Sequence, residues 1–237
     1  MNILAIDASG LAASAAVLSD EVIKAEFCVC NKLTHSETLM PMIDQVINAS
    51  GMSLKEIEAF AVTAGPGSFT GLRIGVATAK GLSEAMEKPL IGVPTVESIA
   101  QNMAGFDGIV VPLMDARRGE TYTGIYVFKG DELEVLREQC AVPLEEIIND
   151  VNDRGQRVVF LGDGVRVFRE RIDKICTVPY YYAPADHRLQ RAAGVAILAQ
   201  KYYLEGRFTD AADLVPVYLR KSQAERERDN IRAHADA

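Results

Sequence analysis

The chain has 237 residues, 49% of them hydrophobic and 24% charged, with 33 acidic side chains against 25 basic ones and a net charge of −8. That balance argues against a protein that grips nucleic acid by its own charge, because such binding rests on neutralising phosphates with Lys and Arg. No stretch approaches the ~20 apolar residues of a membrane helix. The opening Met1–Asp7 carries no basic residue and makes a poor signal peptide. Cys28, Cys30, Cys140 and Cys176 show no CxxC spacing, so buried, reduced thiols and a cytoplasmic location are expected.

In chain order, Ile3–Asp7 is an apolar run ending in an acid, followed by the turn Ala8-Ser9-Gly10 and β-like runs at 15–18 and 22–29. This predicts a meander. Thr34 or Ser36 can cap a helix that ends at Ser50-Gly51, and Ser53-Leu54-Lys55-Glu56 reads as a capping box. A strand at 59–63 leads into Gly65-Pro66-Gly67-Ser68-Phe69-Thr70-Gly71, capped by Ser68 or Thr70, and a helix to about Met86. A strand at 89–93 and a helix through Met103, begun at Thr95 or Ser98, close the first half.

The second half repeats the plan. Ile109–Met114 again ends in an acid, Asp115, and the turn Arg117-Arg118-Gly119-Glu120 opens a hairpin through Lys129-Gly130-Asp131 to about Leu136. A helix at 143–149, a strand at 158–161 with Gly162-Asp163-Gly164, and helices at 165–172 and 189–204 follow. The order of elements predicts a duplicated α/β architecture of two lobes facing a cleft. The lobes are 1–104 and 105–220, the last helix being free to pack back on the first lobe, with a charged, frayed or disordered tail at 221–237.

Two features carry chemistry, and two helix faces suggest contacts. The Gly-rich loop before a helix can present free N–H groups to an anion, or can simply be a tight connection; it lacks the Lys-Ser/Thr of a phosphate-binding P-loop. Asp7 and Asp115 end equivalent strands, where such acids serve phosphoryl transfer through Mg²⁺. Ser9 and Gly67 suit phosphate approach, whereas Arg117 beside Asp115 does not, so the cleft reads as vestigial. His35, His187 and His234 form no metal-binding or catalytic pattern. Gly71, Gly75 and Ala79 recur on one helix face, a ridge for a close-packed helix from this chain or another. Leu39, Met40, Met42, Ile43, Val46 and Ile47 spread over a wide arc, which fits an interaction surface or a helix wedged between lobes.

Ile3–Ser9, His35-Ser36-Glu37 with Leu39–Ile43, Gly65–Gly75, Met114–Glu120 and Pro216-Val217-Tyr218-Leu219-Arg220 resemble the bacterial TsaB (YeaZ) family from Met1 to about Arg220. The resemblance implies the two-lobed fold of actin, sugar kinases and Hsp70. It also implies a non-catalytic, activating subunit in making threonylcarbamoyladenosine beside the anticodon of tRNAs that read codons beginning with A. Its catalytic paralogue TsaD holds a metal through HxxxH; Thr95 and Ile99 stand at those positions here and cannot ligate. The implied partners are TsaD as a heterodimer and the P-loop ATPase TsaE, with tRNA reached only through the complex, a homodimer when TsaD is absent, and no membrane. The implied interface comprises His35, Leu39, Met40, Met42, Ile43, Ile47, Gly71, Gly75, Ala79 and Leu82. No cofactor or metal of its own is expected, with ATP or ADP held, if at all, at the complex interface. The alternative is an autonomous small kinase or ATPase using Asp7 and Asp115; a peptidase lacks a nucleophile or metal set.

Overall fold

The structure is a computed structural model that describes residues 1–31 and 33–220. The tail expected at 221–237 lies outside the described residues.

The first lobe is built on β1 (Asn2–Asp7), β2 (Ala13–Ser19) and β3 (Val22–Val29), the expected meander. α1 (His35–Ser50) follows. Its N-terminus is set by a capping box between Thr34 and Glu37, and it ends on Gly51, whose positive φ lets the chain leave the helix. β4 (Ala59–Gly65), α2 (Phe69–Met86) and β5 (Leu90–Pro94) complete the lobe, with Ser68 capping α2 through the Gly71 N–H. The strands form one sheet in the order β3-β2-β1-β4-β5, antiparallel across the meander and parallel from β1 to β5.

α3 (Thr95–Ala100) leads to β6 (Ile109–Asp115), β7 (Glu120–Lys129), β8 (Glu132–Pro143), α4 (Leu144–Arg154), β9 (Val158–Leu161), α5 (Gly164–Ile175), β10 (Tyr180–Tyr182), α6 (Ala185–Arg188) and α7 (Ala192–Leu204). The second sheet runs β10-β9-β6-β7-β8, the same topology as the first, read from its other edge. Several elements depart from expectation: α4 runs on to Arg154, α6 is a single turn not foreseen, and α7 begins at Ala192 instead of 189. β8 extends to Pro143 because it is an edge strand with one solvated face, and the polar Arg137-Glu138-Gln139 in its middle reads as a break in the sequence. β10 is a three-tyrosine edge strand too short for any periodic signal.

Alternation along the strands explains the layering. Leu4 and Ile6 face α1 and α2, while Ile3 and Ala5 face α7. In the second sheet Ile109, Val111 and Leu113 face α4 and α5, while Val110 and Met114 face α3. The molecule is therefore helix–sheet–helix–sheet–helix, with α3 and α7 between the sheets. Each fully buried Leu, Ile or Val in these layers contributes roughly 1.5–3 kcal/mol by leaving water.

Among the described residues no helix is long and apolar enough to cross a membrane. All four cysteines are free, as expected, but Cys28 and Cys30 are exposed rather than buried, because β3 is the solvent-facing edge of its sheet.

Candidate functional site

β1 and β6 end in Asp7 and Asp115 because each sheet's central strand runs out at the gap between the lobes. The cleft there, about 470 Å³, is lined by Ser9, Gly67 and Phe69 from the first lobe and by Asp115, Arg117 and Asp163 from the second. Tyr218 and Arg220 form part of one wall. Of the five residues expected at a vestigial nucleotide cleft, Ser9, Gly67, Asp115 and Arg117 line it. Asp7 stands one layer behind.

Asp7 is fully buried. Its Oδ1 accepts from the Ser9 N–H at 2.8 Å, the Ser9 hydroxyl at 2.6 Å and the Thr63 hydroxyl at 3.3 Å, while Oδ2 has no protein partner. Burial dominates over these hydrogen bonds and raises its pKa to about 6. Asp115 differs. Its Oδ1 accepts the Arg117 N–H at 2.8 Å, and its Oδ2 meets the Arg117 guanidinium at 3.2 Å. Arg117 and Arg118 both hold positive φ, 68° and 57°, an uncommon pairing for residues with side chains. A cation on Asp115 would have to displace the arginine that already neutralises it.

Asp163 was not singled out from sequence as a site residue. It lies in the cleft with Oδ1 unpartnered, and burial, followed by the charge of Asp115, raises its pKa to about 6. The flanking Gly162 and Gly164 were the available signal: both crowd the Leu113 backbone and draw the turn against β6. Arg166, in the first turn of α5, also lines the cleft.

The residues expected at a partner interface divide sharply. Leu39, Met42, Ile43 and Ile47 are buried in the first lobe's own core, with Leu82 half-buried against it. Only Met40 projects, at 50% exposure. Gly71, Gly75 and Ala79 also face inward: a Cβ on Gly71 would overlap the Ala8 carbonyl, and one on Gly75 would stand 3.2 Å from the Ala8 Cβ. This corrects the expected placement. The ridge of small residues serves contact with the end of β1, and the broad apolar arc of α1 is a core face. His35 is neither cap nor exposed contact; its Nε2 meets the Gly10 carbonyl at 3.0 Å and ties α1 to the cleft loop. The outer faces of the two helices carry Ser36, Met40, Asp44 and, on α2, the small residues Ala77, Gly81 and Ala85.

Thr95 and Ile99 are fully buried on α3 between the sheets, and no group of three His, Cys, Asp or Glu among the described residues could hold a metal.

Residues 31–228 match the family model described as TsaD, tRNA N6-adenosine threonylcarbamoyltransferase. The chain is similar to the tRNA threonylcarbamoyladenosine biosynthesis protein TsaB of Bacillus subtilis, 33% identical over 95% of this chain and 96% of that protein. The corresponding Escherichia coli protein is 32% identical, over 94% and 96%. The chain belongs to the TsaB family. A solved structure titled YeaZ from Pseudomonas aeruginosa superposes with a TM-score of 0.77 at 25% identity, covering 92% of this chain and 99% of that one. That superposition takes in 92% of the chain, and so both of the lobes described above.

Proposed function

We propose that this chain works in tRNA threonylcarbamoyladenosine biosynthesis as a non-catalytic subunit that docks a TsaD enzyme, activates it and helps recruit the ATPase TsaE. The observation that carries the role is the near full-length similarity to proteins named for that pathway. The non-catalytic reading is supported by the Asp115–Arg117 pair. Phosphoryl transfer would need that carboxylate free for Mg²⁺, and it is engaged on both oxygens by its own neighbour. The second half of the cleft therefore does not fit a metal-bound nucleotide, and no catalytic step is assigned to it.

The outer faces of α1 and α2 are the surfaces on which a TsaD helix pair, or a second copy of this chain in its absence, would pack. Ala77, Gly81 and Ala85 permit close backbone approach, and Met40 offers an adaptable apolar contact. With a net charge of −8, contact with tRNA is assigned to the complex and not to this subunit alone.

Reconstitution tests the reading. Purified threonylcarbamoyl-adenylate synthase, TsaD and TsaE are combined with tRNA, with and without this chain. Product that requires both this chain and TsaD is expected; product indifferent to this chain would overturn the role. ATP turnover by the isolated chain, abolished in Asp7→Ala, would instead establish the autonomous ATPase.

A further inference from the structure

The segment from Leu214 to Arg220 belongs to neither lobe's layering. Leu214 is buried in the core beneath α1 and α2. The Val217 N–H then donates to the Ala64 carbonyl at 2.6 Å, extending the end of β4. Gly65, at φ 117°, lies so near the Val217 carbonyl that a side chain there would overlap it. The Tyr218 ring packs on Phe69 at 4.6 Å between centroids and tilted by 31°, and Arg73 both donates to the Tyr218 hydroxyl at 3.2 Å and lies 3.9 Å over the Phe69 ring. These contacts fasten the segment to the first lobe at the start of α2.

Two residues later the chain reaches the other lobe. Arg220 donates to the carbonyls of Ala116 and Arg117 and pairs with Glu120 at 2.9 Å. Its side chain is only 16% exposed. Tyr218 and Arg220 both line the cleft, so the segment joins the two lobes along one of its walls.

We propose that Leu214–Arg220 is a clasp that holds the two lobes together along one wall of the cleft. Its two anchorages, Tyr218 on Phe69 and Arg220 on the turn at 116–120, behave as one cooperative unit. Release of either end frees the other and loosens the tie between the lobes. Three features make the unit cooperative. The backbone between the anchors is short, its hydrogen bond to Ala64 lies at one end, and the other end is held by charge-assisted bonds, the stronger class. A partner that engages one anchor would therefore weaken the hold of the other.

The test perturbs one end and reads the other by amide hydrogen exchange in the full chain. Glu120→Gln in the second lobe is expected to raise exchange of the Val217 amide, bonded in the first lobe, by roughly tenfold, the loss of one charge-assisted contact. Phe69→Ala is expected to raise exchange of the Glu120 amide, which donates to the Arg117 carbonyl, to a similar extent. Amides of β1 and β4 serve as the control for intact folding. Arg220→Lys, which keeps the charge but loses the fork onto two carbonyls, is expected to fall between. If each substitution changes exchange only at its own end, the segment is two independent surface contacts and the clasp is wrong.

Discussion

Gly71, in the first turn of α2, rests directly against the carbonyl oxygen of Ala8, the residue that follows Asp7. The contact ties the Gly-rich loop to the end of β1 and fixes how closely the start of α2 approaches that strand. Gly71→Ala places a Cβ inside that carbonyl and should cost about 1–3 kcal/mol. Urea denaturation checks this; a variant as stable as the wild type would mean that the loop yields freely.

The two faces of α1 should respond oppositely. Leu39→Ala empties a core position and is expected to lower stability by about 2–5 kcal/mol. Met40→Glu, on the exposed face, should leave the melting temperature nearly unchanged while weakening association with TsaD. Calorimetry and analytical ultracentrifugation separate these outcomes, and unchanged association in the Met40 variant would remove α1's outer face from the interface.

Gly81 has no atom near the position of an added Cβ and lies on the exposed face of α2. Gly81→Leu should keep or raise stability by a few tenths to about 1 kcal/mol, since glycine is a poor helix former. The same bulk should weaken partner binding at least about tenfold, equivalent to about 1.4 kcal/mol. Gly75→Leu would not make the same point, because its cost falls on the contact with Ala8 inside the lobe.

Asp7 gives a pH signature. Its folded pKa of about 6 lies above the ordinary value of 3.8, so between these limits the folded state binds more protons than the unfolded chain. Stability therefore falls as pH rises from about 4 to 6 and is level above, a loss of up to about 3 kcal/mol from this residue. Asp163 shifts the same way, so the informative quantity is the difference from Asp7→Asn at each pH. That difference should grow in favour of the variant from pH 4 to 6; a constant difference would place Asp7's pKa near its ordinary value.

The order of elements was readable because it depends on local signals: apolar runs ending in Asp7 and Asp115, the Thr34–Glu37 box, and the Gly65–Gly71 loop. The direction each helix faces was not. A ridge of Gly71, Gly75 and Ala79 looks the same whether it meets another molecule or the end of β1, and only the position of Ala8 decides it. Likewise the breadth of the apolar arc on α1 reflects β2 and β3 curling beneath it together with α2 beside it. The cleft was half legible. Ser9, Gly67, Asp115 and Arg117 sit in or beside recognisable turns, whereas Asp163, Tyr218 and Arg220 come from distant segments brought to one place by the fold.

The position of α7 has a consequence for how the molecule is made. Ala192, Val195, Ala196 and Ala199 cover the face of the first sheet that Ile3, Ala5, Ala59 and Ile91 present. A growing polypeptide emerging from the ribosome must therefore hold that apolar sheet face bare until α7, near the far end of the chain, has been synthesised. The first lobe therefore cannot bury that face as an independent early module, and it completes its layering only once α7 has docked.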